Sequence, residues 1–120
     1  MIMGHAFDLE DRTLAFAKRV VRMCKELSRN PVNSSLIGQI IRSAGSVGAN
    51  YREANDALGR KDFFMRMKIS RKEAKETLFW IQIISEANPD LRERLEGLEK
   101  EAIEIKNILS AIILKSESKK

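Results

Sequence analysis

Apolar residues recur every three or four positions over four long stretches of this chain, the spacing of one face of an α-helix. In the first stretch, from about Asp8 to Ser28, Leu14, Ala17, Val20 or Val21, Cys24 and Leu27 share a face, and Lys18, Arg22, Lys25 and Arg29 take the opposite one. Asn30-Pro31 ends it, because Pro31 has no N–H to donate and biases Asn30 away from helical torsions. A second helix is expected to start at a cap on Asn33 or Ser34 and to stop at Gly59, with Ile37, Ile40, Ile41, Ala44, Val47, Tyr51, Ala54 and Leu58 inward. Asp62 caps a third, running to about Ala87, whose inward residues are Phe63, Met67, Ser70, Ala74, Leu78 and Ile81. The end of that helix, Leu78 to Ile84, is apolar nearly all round, which predicts burial on more than one side. After Asn88-Pro89-Asp90, the series Leu91, Leu95, Leu98, Ala102, Ile105, Leu109 and Ile112 alternates steps of four and three, a heptad seam. Ile103, Ile108, Ala111, Ile113 and Leu114 add more apolar surface than one seam uses, so the third and fourth helices are expected to bury surplus faces in a homo-oligomer.

Four helices joined by short breaks specify an all-α fold, an antiparallel up-down-up-down four-helix bundle. Residues 1–120 fit one domain, with residues 1–7 and 116–120 expected to fray. One stretch is unusual. From Arg42 to Ala54 the second helix is built largely of small residues, and Ala44, Gly45, Gly48 and Ala49 predict the close approach of another helix. Beside them Arg42, Ser46, Asn50 and Glu53 form a polar strip, read either as a structural hydrogen-bond network in which the charges are paired or as a ligand contact.

Charge is unevenly spread. Residues 1–11 hold three acids and no Lys or Arg, residues 12–75 hold fifteen basic side chains against five acids, and residues 76–120 hold seven against nine. The basic middle points to a polyanionic partner. Lys18, Arg19, Arg22, Lys25 and Arg29 on the first helix, with Arg60, Lys61, Arg66, Lys68, Arg71, Lys72 and Lys75 around the third, would neutralise several phosphates if the two faces adjoin. Tyr51, Phe63, Phe64 and Trp80 are candidates for stacking on bases, though their helical positions suit a core equally.

Catalytic chemistry is hard to assemble from these residues. The one histidine, His5, and the one cysteine, Cys24, lack partners at zinc-ligand spacing, and a di-iron bundle needs a Glu-x-x-His pair from each of two helices. Glu73 and Glu76, one turn apart, could hold a divalent ion but also suit a solvated face. There is no phosphate-binding glycine loop and no nucleophile elbow, so neither an enzyme nor a cofactor or metal site is expected. A lone cysteine fits a reducing compartment, and no stretch has the signature of a signal peptide or the length of a membrane span, which predicts a cytoplasmic protein that does not bind membranes.

Asn30-Pro31, the run from Gln39 through Arg42, Ser46, Asn50 and Glu53 to Ala54, Lys61-Asp62-Phe63, Lys72-Glu73-Ala74-Lys75-Glu76-Thr77 and Trp80 resemble a family of bacterial four-helix bundle proteins. Founding members of that family are encoded in intervening sequences of 23S ribosomal RNA genes. The likeness runs from about Phe7 to Ile84; beyond Asn88 only the heptad character persists. It implies a ring-like homopentamer, similar to relatives that serve diversity-generating retroelements and bind nucleic acid and a reverse transcriptase through a basic surface. Arg42, Ser46, Asn50 and Glu53 match positions typical of the family. Residues and resemblance together predict a non-catalytic nucleic-acid-binding protein, RNA preferred, that uses Lys and Arg of the first and third helices. The alternative is a protein-interaction scaffold or accessory subunit whose basic charge is incidental.

Overall fold

The computed structural model of the protein describes the backbone of residues 4–119 and the side chains of residues 9–119. These residues are all-helical: α1 (Gly4–Glu26), α2 (Pro31–Asn55), α3 (Arg60–Ala87), a single 3₁₀ turn (Pro89–Leu91) and α4 (Arg92–Glu117). The side chain of His5 and the outermost part of the expected N-terminal fraying lie outside the described residues. At the other end α4 is helical through Glu117, further than the expected fraying from residue 116.

Two apolar stripes compete on α1: Val20, Cys24 and Leu27 are buried as expected, but the helix turns Phe16 and Met23 inward in place of Leu14 and Ala17. Leu9, Thr13, Phe16, Val20, Met23 and Leu27 are buried, whereas Leu14 and Val21 are each 42% exposed. Phe16 and Met23 bring more apolar area to the core than Leu14 and Ala17 would, so this rotation of the helix removes more surface from water. Cys24, at the edge of both stripes, is buried.

The helix starts also shift. Asn30 caps α2, its side-chain oxygen accepting from the Asn33 amide at 2.8 Å, and Pro31 takes the first helical position, where its missing N–H does no harm. The expected cap at Asn33 or Ser34 is therefore three or four residues late. Asn33 is buried, and its Nδ2 donates to the Ser28 carbonyl at 2.8 Å and to Asn88 Oδ1 at 3.0 Å. Asn88 returns a bond from its own Nδ2 to Asn33 Oδ1 at 2.9 Å, so this amide pair ties the start of α2 to the end of α3. Likewise α2 stops at Asn55, leaving Leu58 fully exposed in the connection, and Gly59 starts α3 instead of ending α2. Asp62 sits in the first turn of α3, where a carboxylate is favourable beside the free amides, but it is not the cap.

The core runs along the whole bundle. From α2 come Leu36, Ile40, Ala44, Val47, Tyr51 and Ala54; from α3 Met67, Ala74, Ile81 and Ile84; from α4 Leu95, Leu98, Ala102, Ile105, Leu109 and Ile113. Ile41, expected inward, is 40% exposed, and at the end of α4 burial passes from Ile112 to Ile113. The second change follows from geometry: a straight helix with 3.6 residues per turn drifts by ~20° per heptad from a strict seven-residue repeat. The expected burial of Leu78 to Ile84 on several sides is only partly met within one chain, since Phe79 is 53% exposed.

Each helix has two close neighbours, α1 beside α2 and α4 and α3 beside α2 and α4, while among the described residues no Cα of α1 comes within 8 Å of α3 and none of α2 within 8 Å of α4. Low-numbered positions of one helix meet high-numbered positions of the next. Glu10 accepts from Asn55 at 2.8 Å, Ser70 donates to the Val47 carbonyl at 2.7 Å, Thr77 donates to Ser43 Oγ at 2.9 Å, and Arg94 pairs with Glu26. Of the four small residues on α2, Gly48 makes the closest approach, since a Cβ built there would lie 2.9 Å from Thr13 Oγ1 of α1. Ala44 is buried, but Gly45 and Ala49 face outward, with nothing within 4 Å of a Cβ at Gly45.

Candidate nucleic-acid interface

Burial of Phe16, Val20, Met23 and Leu27 turns the far side of α1 to solvent and fixes where its cations go. Lys18, Arg22 and Lys25 lie on that outer face, and Arg29 follows in the connection to α2; all are exposed. Arg19 lies on the flank of α1 that faces α4. Among the described residues none of these five forms an ion pair with an acid.

The second basic group is more heavily engaged. On α3, Arg60 lies 4.8 Å from the centre of the Phe64 ring and donates to the Ser116 carbonyl at 2.9 Å. Lys68 lies 5.8 Å from the same ring and pairs with Glu117 at 3.6 Å. Arg66 is taken up by Asn50 Oδ1 at 2.9 Å and by Asp62 at 4.0 Å. Lys61, Lys72 and Lys75 are exposed and Arg71 is half-buried, and these four make no ion pair with a described acid. Because α1 and α3 are diagonal in the bundle, with no Cα pair within 8 Å among the described residues, the two basic faces considered from the sequence do not adjoin as neighbouring helices.

The polar strip on α2 divides. Arg42 donates to Glu73 at 3.3 Å and also pairs with Glu76, which accepts from the Trp80 indole N–H at 3.0 Å. The Trp80 bond, reinforced by Arg42, holds the Glu76 carboxyl below the usual range, and the two carboxylates hold the Arg42 guanidinium above its own. Glu73 and Glu76, weighed as a divalent-ion pair, are thus bound to side chains of the protein. Asn50 donates to the Ser46 carbonyl at 3.0 Å and Oγ at 2.9 Å, so Arg42 and Asn50 each bridge α2 to α3. Glu53 is exposed and bonds to none of the other three. Of the aromatic candidates, Tyr51 is buried, Phe63, Phe64 and Trp80 are half-buried, and Phe63 and Phe64 meet edge to face at 5.5 Å.

Ion pairs flank the seam between α1 and α4. Arg12 grips Glu101 with two nitrogens, at 2.7 and 2.9 Å, and reaches Glu104 at 2.6 Å; the Arg12 bond holds the Glu101 carboxyl below its ordinary value. Farther along, Arg94 of α4 pairs with Glu26 of α1. Burial pushes the Cys24 thiol up to about 11, which leaves it a poor nucleophile near neutral pH.

The model of a known family, the 23S rRNA-intervening sequence protein, matches residues 7–111. The chain belongs to that family. A crystal structure of a protein with unknown function from the S23 ribosomal protein family of Bacteroides thetaiotaomicron is similar to it, with 35% sequence identity and a TM-score of 0.78 over 88% of this chain and 97% of that one. Among curated proteins none matches. In this intervening-sequence family chain, the residue that sequence reasoning missed is Arg94. It flanks the heptad seam one position before Leu95, and only the packing of α4 on α1 brings it beside Arg19 and Arg22.

Proposed function

We propose that the protein is a non-catalytic RNA-binding four-helix bundle that holds phosphate backbones on the outer face of α1. The observation that carries this reading is the run of five Lys and Arg side chains from Lys18 to Arg29, none of them in an ion pair with a described acid, although Arg19 acts on the Glu101 carboxylate from beyond ion-pair distance. Unpaired surface cations release counterions when they meet a polyanion, and that release drives binding with little dependence on sequence. The α3 cations Arg60, Lys61, Lys68, Arg71, Lys72 and Lys75 form a second, weaker contact, because Lys68 and Arg60 are already engaged within the fold.

The reading includes an antiparallel up-down-up-down arrangement, supported by the low-to-high order of the interhelical bonds. It also includes a ring-like homo-oligomer, with five subunits as the family resemblance implies, in the cytoplasm. Exposed apolar residues support the assembly: Val21 and Ile41 share a groove between α1 and α2, and Leu14, Phe79 and Leu114 are exposed elsewhere. Unlike surfaces that meet head to tail close into a ring when the rotation between subunits permits it.

Charge reversal tests the reading. With Lys18, Arg22 and Lys25 replaced by Glu, affinity for structured RNA at low salt should be lost while the helical spectrum stays intact. The same change at Lys68, Lys72 and Lys75 should weaken binding less. Equal loss from both sets, or none from the first, would reject the α1 face.

A further inference from the structure

We propose that the cleft between α1 and α4 is a phosphate site in which Arg19, Arg22 and Arg94 hold one phosphodiester of bound RNA. This rests on the RNA-binding reading and gives it a defined pocket. The three guanidiniums line a cleft of about 260 Å³ with Leu98 behind them. Three acids lie along the same seam, and Arg12 also holds Glu104. Glu26 pairs with Arg94, and Glu101 is gripped by two nitrogens of Arg12; Arg19 feels the Glu101 carboxylate only from beyond ion-pair distance, and Arg22 has no ion-pair partner among the described residues. Gathering like charges in a cleft is unfavourable unless an anion joins them.

The chemistry suits phosphate in particular. Arginine presents a flat fork of donors that grips two oxygens of a phosphate at once, which lysine does not. Arg94 stands in the first turn of α4, at the positive end of the helix dipole. Gly97 supplies the remaining feature: a methyl group there would already touch Arg19 Nη2, at 3.4 Å. A glycine inside a helix costs roughly 1 kcal/mol relative to alanine, and at this position it leaves the guanidinium room to lie against α4.

The test follows the side-chain Nε–H signals of isotope-labelled full-length protein while single-stranded RNA or inorganic pyrophosphate is added, and compares affinities of variants. RNA should shift the signals of Arg19, Arg22 and Arg94 to saturation. Replacing Arg19 and Arg94 together by Gln should weaken RNA binding about tenfold or more, as expected for lost charge-assisted hydrogen bonds. Removing the same charge from exposed Arg92 and Lys100 should change it far less. Glu26→Gln, which frees Arg94, should tighten binding severalfold. If the wild type binds RNA and the Arg19 and Arg94 variant falls no further than the Arg92 and Lys100 variant, the cleft is not the site and the RNA reading stands. Pyrophosphate shifting the arginine signals without any RNA binding would keep the phosphate site, assign it to a free phosphate and overturn the RNA reading. No shift with either ligand overturns both.

Discussion

At Gly48 the approach of α1 to α2 is set by a missing methyl group. A Cβ there would stand 2.9 Å from Thr13 Oγ1 and 3.2 Å from Thr13 Cβ, and Thr13 is itself held by a bond to the Glu10 carbonyl at 3.1 Å. Gly48→Ala should therefore destabilise the protein by about 1 to 2 kcal/mol, overpacking outweighing the gain in helix propensity. Gly45→Ala, with open space around it, should instead stabilise by about 0.5 to 1 kcal/mol. Urea unfolding of the two variants checks this, and the same sign for both would contradict it. The sequence showed that small residues cluster here but not which of them meets a neighbour, because that depends on the rotation of α1. The rotation was hidden by a second apolar stripe, Leu14 to Val21, which alternates as regularly as the buried one.

Between elements, the Asn33–Asn88 amide pair matters most. Both side chains are buried, and each donates to and accepts from the other while also holding a carbonyl at a helix end, of Ser28 and of Ile84. Asn33→Ala would leave Asn88 Oδ1 without its donor in the core, a loss of about 1 to 3 kcal/mol. Thermal unfolding would reveal it; an unchanged midpoint would mean that water or relaxation replaces the bond. The four helices were legible in the sequence because their apolar periods are long and their breaks contain Asn-Pro. Their caps were not. Asn30 and Asn33, and Gly59 and Asp62, are pairs three residues apart in which both members suit a helix start, and the choice at Asn33 is made by Asn88, 55 residues away.

Across the whole molecule the basic charge is divided. Helices α1 and α3 stand at opposite corners of a bundle 49 Å long, each between α2 and α4. The sequence listed both sets of cations, yet it could not show that they are separated, nor that α3 spends part of its charge on Glu117 and on the Ser116 carbonyl. Membership in the 23S rRNA-intervening sequence family was readable from the residues of α2 and α3; the cleft that joins Arg94 to Arg19 and Arg22 was not, because it depends on how α4 lies against α1. Among the described residues no helix is long and apolar enough to cross a membrane. What remains is an exposed outer face on α1 whose Lys18, Arg22 and Lys25 form no ion pair with an acid among the described residues.

The measurement that bears most directly on this account is the affinity of the wild-type protein for a labelled structured RNA as a function of salt, read by fluorescence anisotropy. If four or five cations of α1 each displace a counterion, a plot of log affinity against log salt should be linear with a slope of about −3 to −4. Absence of binding at low salt, or an affinity that salt leaves unchanged, would contradict it.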